Sequence, residues 1–139
     1  MVEGVRLGLG AMRYPNGDVY YGRWENDHHV GQGVMIYTNG EVYDGEWRGG
    51  VQCGEGRLRL IDGHRYDGHW VNGVKEGRGK MTYPNGDVYD GHWLKNKPEG
   101  LGLMKYFNGD VYDGEWKEGK KFGRGNLTFK SGDVYEGKE

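Results

Sequence analysis

His28, His29, His64, His69 and His92, together with Cys53, are the residues of this chain whose types could ligate a metal. His69 and His92 are 23 residues apart, the period at which the whole chain repeats. Equivalent positions one period apart lie two strands apart, roughly 9–10 Å at ~4.8 Å per strand. Ligands of one zinc must instead converge to ~2 Å from the metal. No intrachain metal site is expected, and a Cys53–His pair shared with a second chain is the only zinc arrangement left to weigh. Gly-x-Gly pairs at Gly31/Gly33, Gly54/Gly56, Gly77/Gly79, Gly100/Gly102 and Gly123/Gly125 raise nucleotide binding. No copy has the third glycine three residues on and no helix follows, so the dinucleotide fingerprint fails. Asn126-Leu127-Thr128 matches a glycosylation sequon, but without a visible secretory signal it reads as chance. No Ser/His/Asp or Cys/His arrangement stands out from the repeat. The chain is therefore expected to be no enzyme, with no catalytic residue, cofactor or metal.

Tyr83-Pro84-Asn85-Gly86-Asp87-Val88-Tyr89-Asp90-Gly91-His92-Trp93 is the unit that the rest copies. Tyr-x-Gly-x-Trp recurs at Tyr20-Gly22-Trp24, Tyr43-Gly45-Trp47, Tyr66-Gly68-Trp70, Tyr89-Gly91-Trp93 and Tyr112-Gly114-Trp116. It starts again at Tyr135-Gly137 and is cut off at Glu139. A fixed period of this length means a stacked array. Residues 1–139 read as one array of about six repeats, incomplete at both ends, with no linker. The 29 glycines are positional, and the net charge of −2 argues against a nucleic-acid binder. The lone Cys53 excludes an intrachain disulfide and fits a cytoplasmic address. No membrane span is visible.

Turn glycines recur at Gly17, Gly40, Gly63, Gly86, Gly109 and Gly132, four of them after Asn. Between them lies a second mark, Asp27, Gly50, Gly73, Asn96 and Gly119, all of types that accept positive φ. Two turns per period with alternating apolar residues predict an all-β fold, a single-layer antiparallel meander of 23-residue β-hairpins. A two-residue Asn16-Gly17 loop would bring Tyr21 and Asp44 onto the face of Met12. A three-residue Pro15-Asn16-Gly17 loop, a type I turn with a glycine bulge, shifts the register by one and avoids this. Gly8 then faces Trp24, Gly10 faces Gly22, and Met12 faces Tyr20. The second turn keeps this parity if Trp24 faces Gly31 and Gly22 faces Gly33.

One face then carries three rows. Trp alternates with Gly, a middle row is glycine throughout, and Tyr alternates with Met or Leu. Glycine normally weakens a strand; the reason proposed for a full row is room for Trp and Tyr/Met to fold over bare backbone. Those rings are expected to be the core. Part of their surface is also expected to stay open as a partner-binding groove of Tyr20, Trp24, Tyr43, Trp47, Tyr66, Trp70, Tyr89, Trp93, Tyr112 and Trp116, fitting an extended peptide or one face of a helix. The opposite face carries Asp44, Asp67, Asp90, Asp113 and Glu136 against Arg13, Arg57, Arg59, Lys80 and Lys105, and reads as solvated.

In-phase Tyr-x-Gly-x-Trp, Gly-x-Gly and Asn-Gly blocks resemble the membrane occupation and recognition nexus (MORN) repeat over the whole chain. Departures are Tyr21 for the usual acid, Arg65 for Val, Leu60 for Tyr, and a last copy without its Trp. The resemblance implies an elongated, twisted ribbon and a non-catalytic scaffold at the cytoskeleton, in cilium, flagellum or cell cortex. The array is expected to hold a protein segment along the groove and to self-associate through its end repeats, whose edge strands lack a polar cap. Two alternatives stand beside it. A phosphoinositide- or membrane-binding module is disfavoured by the acidic balance, although Arg57, Arg59 and Arg65, and Lys117, Lys120 and Lys121, cluster locally. A targeting domain of a larger enzyme is kept open by the truncated last copy, although Met1 reads as a start.

Overall fold

The computed structural model describes residues 8–138; Met1 and Glu139 lie outside them. The described residues form twelve antiparallel strands in an open meander, ordered along the sheet as along the chain and without a helix. Among the described residues no helix is therefore long and apolar enough to cross a membrane. The chain divides into a unit ending at Val74 and a unit starting at Lys75. The first holds β1 (Gly8–Arg13), β2 (Val19–Glu25), β3 (His28–Ile36), β4 (Val42–Arg48), β5 (Val51–Arg59) and β6 (Arg65–Val71). The second holds β7 (Val74–Thr82), β8 (Val88–Leu94), β9 (Lys97–Lys105), β10 (Val111–Lys117), β11 (Lys120–Thr128) and β12 (Val134–Lys138).

The longer turn has the expected three-residue loop. Gly17 N–H donates to Tyr14 O at 2.9 Å, Tyr14 N–H donates to Asp18 O at 2.8 Å, and Gly17 has φ 100°. Gly8↔Trp24, Gly10↔Gly22 and Met12↔Tyr20 pair as the side-chain parity requires. Asn16 Oδ1 accepts Asp18 N–H at 3.0 Å, an Asx turn that closes the loop. Asp18 Oδ1 in turn accepts Thr38 N–H of the next loop at 2.9 Å. Asp87 with Phe107, and Asp110 with Lys130, repeat that bridge within the second unit.

The shorter turn corrects the sequence reading. It has two positive-φ residues, not one: Asn26 and Asp27, Gly49 and Gly50, Asn72 and Gly73, Lys95 and Asn96, Glu118 and Gly119. This is the type I′ geometry that matches strand twist. It sets Glu25 opposite His28 and Trp24 opposite His29, while farther along the same two strands Gly22 lies opposite Gly33. The two registers differ by two residues. Gly31 and Gln32 absorb them as a bulge, with Gly31 at φ 62°. Trp24 therefore faces His29 and not Gly31 on this side. The Trp–Gly partnership survives only across the longer turn, as in Gly31↔Trp47 and Gly100↔Trp116.

The charged face is solvated. Arg57 and Arg65 both turn to Asp67, at 2.5 and 3.6 Å, and Arg78 lies 3.7 Å from Asp90. Pairs this exposed contribute about 0–1 kcal/mol each.

Candidate functional site

The site is the face that carries the rings. Tyr43 shows how each repeat builds it. Its hydroxyl donates to Glu46 O at 3.0 Å, three residues on in the same strand. The bulge breaks the β4–β5 ladder between Gly45 and Trp47, where that carbonyl lies. To get there the phenol lies flat across Gly45 and Gly56. A Cβ on Gly56 would stand 2.1 Å from the hydroxyl oxygen; one on Gly45 would stand 2.4 Å from Gly56 Cα. The glycine row is thus required twice, by ring and by backbone. Tyr20, Tyr66, Tyr89 and Tyr112 make the same bond to Arg23, His69, His92 and Glu115 at 2.9–3.3 Å. Burial pushes the phenols of Tyr43, Tyr66 and Tyr89 well above their ordinary value, so they remain donors.

Four indoles lock onto the preceding odd strand. Trp47 Nε1 donates to Gly33 O at 3.0 Å, Trp70 to Gly56 O at 3.2 Å, Trp93 to Gly79 O at 3.0 Å and Trp116 to Gly102 O at 3.2 Å. Within the first unit Tyr20, Trp24, Tyr43, Trp47, Tyr66 and Trp70 contact edge to face, with Tyr20–Trp47 at 5.6 Å and Tyr43–Trp70 at 5.3 Å linking successive repeats. Tyr89–Trp116 at 5.1 Å does the same in the second. Such pairs contribute about 0.5–1.5 kcal/mol beyond area burial.

The ten rings expected to line a groove are the core, each only 0–6 % exposed. The expected open ring faces are not there. Each phenol is laid down by its own hydroxyl bond and each indole closes the gap beside it. Beside Trp24, Trp47, Trp93 and Trp116 stand His29, Gln52, Pro98 and Lys121, the first and third buried and the other two half-buried. His29 stacks on Tyr20 at 3.8 Å and hydrogen-bonds Tyr14 through Nε2. Gln52 Nε2 donates to Tyr37 OH at 3.1 Å. Lys121 Nζ lies 5.1 Å from the ring centres of both Tyr106 and Tyr112. Sequence reasoning missed this column. Its signal is the second residue after the second-turn marks Asp27, Gly50, Asn96 and Gly119.

The histidines do not converge. His28 and His29, adjacent in sequence, pair with Glu25 and Trp24 and so point to opposite faces. Among the described residues, no group of three or more His, Cys, Asp or Glu side chains could hold a metal ion. Cys53 is free and half-buried. Among the described residues, His29 Nδ1 is a buried side-chain atom without a partner. Burial holds the His29 imidazole below its ordinary 6.5, with His28 adding to the effect. A depressed pKa means that the unfolded chain takes the proton first. The stability His29 contributes is then present above pH 6.5 and is lost as pH falls through 6.5 toward the folded value. Urea midpoints should fall with pH in that window, with a slope no steeper than about 1.4 kcal/mol per unit. His29→Gln should flatten it; an unchanged slope would remove His29 as the cause.

Comparison with known proteins matches the MORN repeat six times in succession, at residues 1–19, 20–42, 43–65, 66–88, 89–111 and 112–134. No curated protein matches the chain. Solved structures give faint likenesses. One is the SAS-4 TCP domain in complex with a proline-rich motif of Ana2, of Drosophila melanogaster. It is 16% identical, with 95% of this chain and 85% of that one covered, at a TM-score of 0.43. Another is virginiamycin B lyase from Staphylococcus aureus, 13% identical, with 94% of this chain and 55% of the lyase covered, at 0.27. Scores this low carry no argument about partner or chemistry. The family itself is generally non-catalytic, and its repeats suggest a protein-binding or membrane-associated scaffold. The six matched segments run without a gap over residues 1–134, and the chain belongs to the MORN repeat family.

Proposed function

We propose that this chain is a non-catalytic scaffold that binds a protein segment along its ring face, self-associates through its end repeats, and works at the cytoskeleton of a cilium, flagellum or cell cortex. One observation carries the binding half. Within each unit the turns, glycines and rings recur in fixed register, while the residue beside the Trp changes. A rigid, evenly spaced frame whose half-buried side chains change along it is what recognition of an extended partner requires. Tyr20, Trp24, Tyr43, Trp47, Tyr66, Trp70, Tyr89, Trp93, Tyr112 and Trp116 act with His29 and Pro98 as the buried floor of that surface, and the half-buried Gln52 and Lys121 as its readers.

An affinity pull-down from cell extract at physiological salt tests this. The wild-type chain and a Gln52→Ala/Lys121→Ala variant are compared by mass spectrometry of the bound proteins. The expected result is a cytoskeletal or ciliary partner recovered by the wild type and lost from the variant. Equal recovery by both would move the binding surface off this face, and no recovery would sink the scaffold reading.

A further inference from the structure

Lys117 and Lys120, clustered in the sequence, take no part in the core or in the ring face. In the second unit two neighbouring short turns, at Lys95-Asn96 and Glu118-Gly119, leave a hollow of about 320 Å³, lined by Leu94, Lys95, Lys97, Glu99, Lys117 and Glu118. Leu94 pairs with Lys97, and Lys117 with Lys120. These four alternate along their strands with Trp93, Pro98, Trp116 and Lys121, so they stand on the face opposite the rings. The first unit makes the same hollow, about 300 Å³, between its turns at Gly49-Gly50 and Asn72-Gly73. Arg48, Val51, Cys53, Val71 and Asn72 line it two periods before Leu94, Lys97, Glu99, Lys117 and Glu118. The hollow is thus a product of the repeat, and its lysines belong to the second unit.

Lys117 and Lys120 stand directly opposite each other, and like charges so placed destabilise a sheet. Among the described residues the ion pairs fall on Arg57, His64, Arg65 and Arg78, and none on Lys95, Lys97, Lys117 or Lys120. Four ammonium groups therefore stand against two carboxylates, Glu99 and Glu118, and Glu99 Oε1 already accepts Glu118 N–H at 3.0 Å. Leu94 and Phe122 on the same face are 45 % and 49 % exposed, and Lys117 Nζ lies 5.1 Å from the Phe122 ring centre. We infer that this hollow docks an acidic segment of a protein partner, with carboxylates on Lys97, Lys117 and Lys120 and an apolar side chain against Leu94 and Phe122. The surface lies across the sheet from the ring face and adds a second contact to the one proposed there. Charge complementarity names the occupant. The volume is at the small end of ligand-sized pockets, room for side chains and not for a flat anionic bilayer. Glu118, in the turn itself, would meet such a bilayer first. A nucleic-acid backbone would set phosphates against Glu99, where a peptide can set a neutral residue.

Fluorescence anisotropy with the full chain tests it, using a fluorescein-labelled heptapeptide of five glutamates and two leucines. The wild type should bind it at low salt, more weakly as salt rises, and should not bind the same peptide with glutamine for glutamate. Lys97→Glu/Lys120→Glu should bind at least about tenfold more weakly, since two attractions become repulsions. That variant should melt no lower than the wild type, because Lys117 then faces a carboxylate. The milder Lys97→Gln/Lys120→Gln should fall between the two in affinity. Gln52→Ala/Lys121→Ala, altered on the ring face, should bind as the wild type does. No binding by the wild type at low salt, or equal binding by Lys97→Glu/Lys120→Glu, would overturn the inference. Loss from the Gln52→Ala/Lys121→Ala variant alone would move the peptide to the ring face, overturning the inference and leaving the proposed function standing. Phosphatidylserine vesicles that sediment with the wild type and that the peptide cannot displace would assign the lysines to a membrane and overturn it as well.

Discussion

Gly56→Ala is expected to destabilise the chain by about 3 kcal/mol or more, from a single added methyl. Overpacking a full core costs about 1–3 kcal/mol when neighbours can shift. Here the neighbour cannot shift freely. The added carbon would stand 2.1 Å from Tyr43 Oη and 2.5 Å from its Cζ. The ring is held by its bond to Glu46 O and by Trp47 and Trp70 edge to face. Lifting the phenol would leave a carbonyl without its donor, a further cost of about 1–3 kcal/mol. Gly45→Ala should be as severe, because its clash is with backbone, Gly56 Cα at 2.4 Å and Glu55 O at 2.7 Å. Gly10→Ala, with open space around it, should stay within about 0.5 kcal/mol of wild type. Urea unfolding of the three variants decides the matter. Equal effects at Gly10 and Gly56 would mean that glycine is needed here for backbone freedom and not for the ring above it.

Trp47→Ala is expected to cost about 3–5 kcal/mol, the range for removing a buried Trp or Phe side chain. Trp47 is 5 % exposed, touches Tyr20, His29 and Tyr43, and donates to Gly33 O. It belongs to two repeats at once, so its loss uncouples β4 from β3 as well as opening the core. Trp47→Phe should recover roughly half of the loss, since it restores most of the ring contact but leaves Gly33 O without the indole donor. Thermal unfolding followed by tryptophan fluorescence and by circular dichroism measures both. A Trp47→Ala midpoint indistinguishable from wild type would mean that the indoles decorate the sheet and do not hold it.

The longer turn could be read from sequence because Pro-Asn-Gly and side-chain parity point to the same three-residue loop. The glycine row was legible for a similar reason: its period matched the rings that needed space. The bulge was not. It arises because β2 and β3 hold two registers two residues apart, and the turn residues alone do not reveal the second. The shorter turn also places Lys95 and Glu118 at φ 49° and 50°, residue types that do not advertise positive φ. The burial of the rings was half legible. Tyr-x-Gly-x-Trp identifies the core, but only the hydroxyl bond from Tyr43 to Glu46 O shows that the phenol lies flat and leaves no open face. His28 and His29 look alike as residue types, and only the position of the turn decides that His29 faces the core.

Each tyrosine is finished by the strand that follows it: Tyr20 by β3, Tyr43 by β5, Tyr89 by β9 and Tyr112 by β11. During synthesis the chain leaves the ribosome in that same order. A repeat within either unit is therefore complete once about half of the next has emerged, and its ladder needs no residue from farther along. Contacts this local favour rapid folding from the first repeats onward. The growing end always carries one uncovered tyrosine, which is the template for the next strand to arrive.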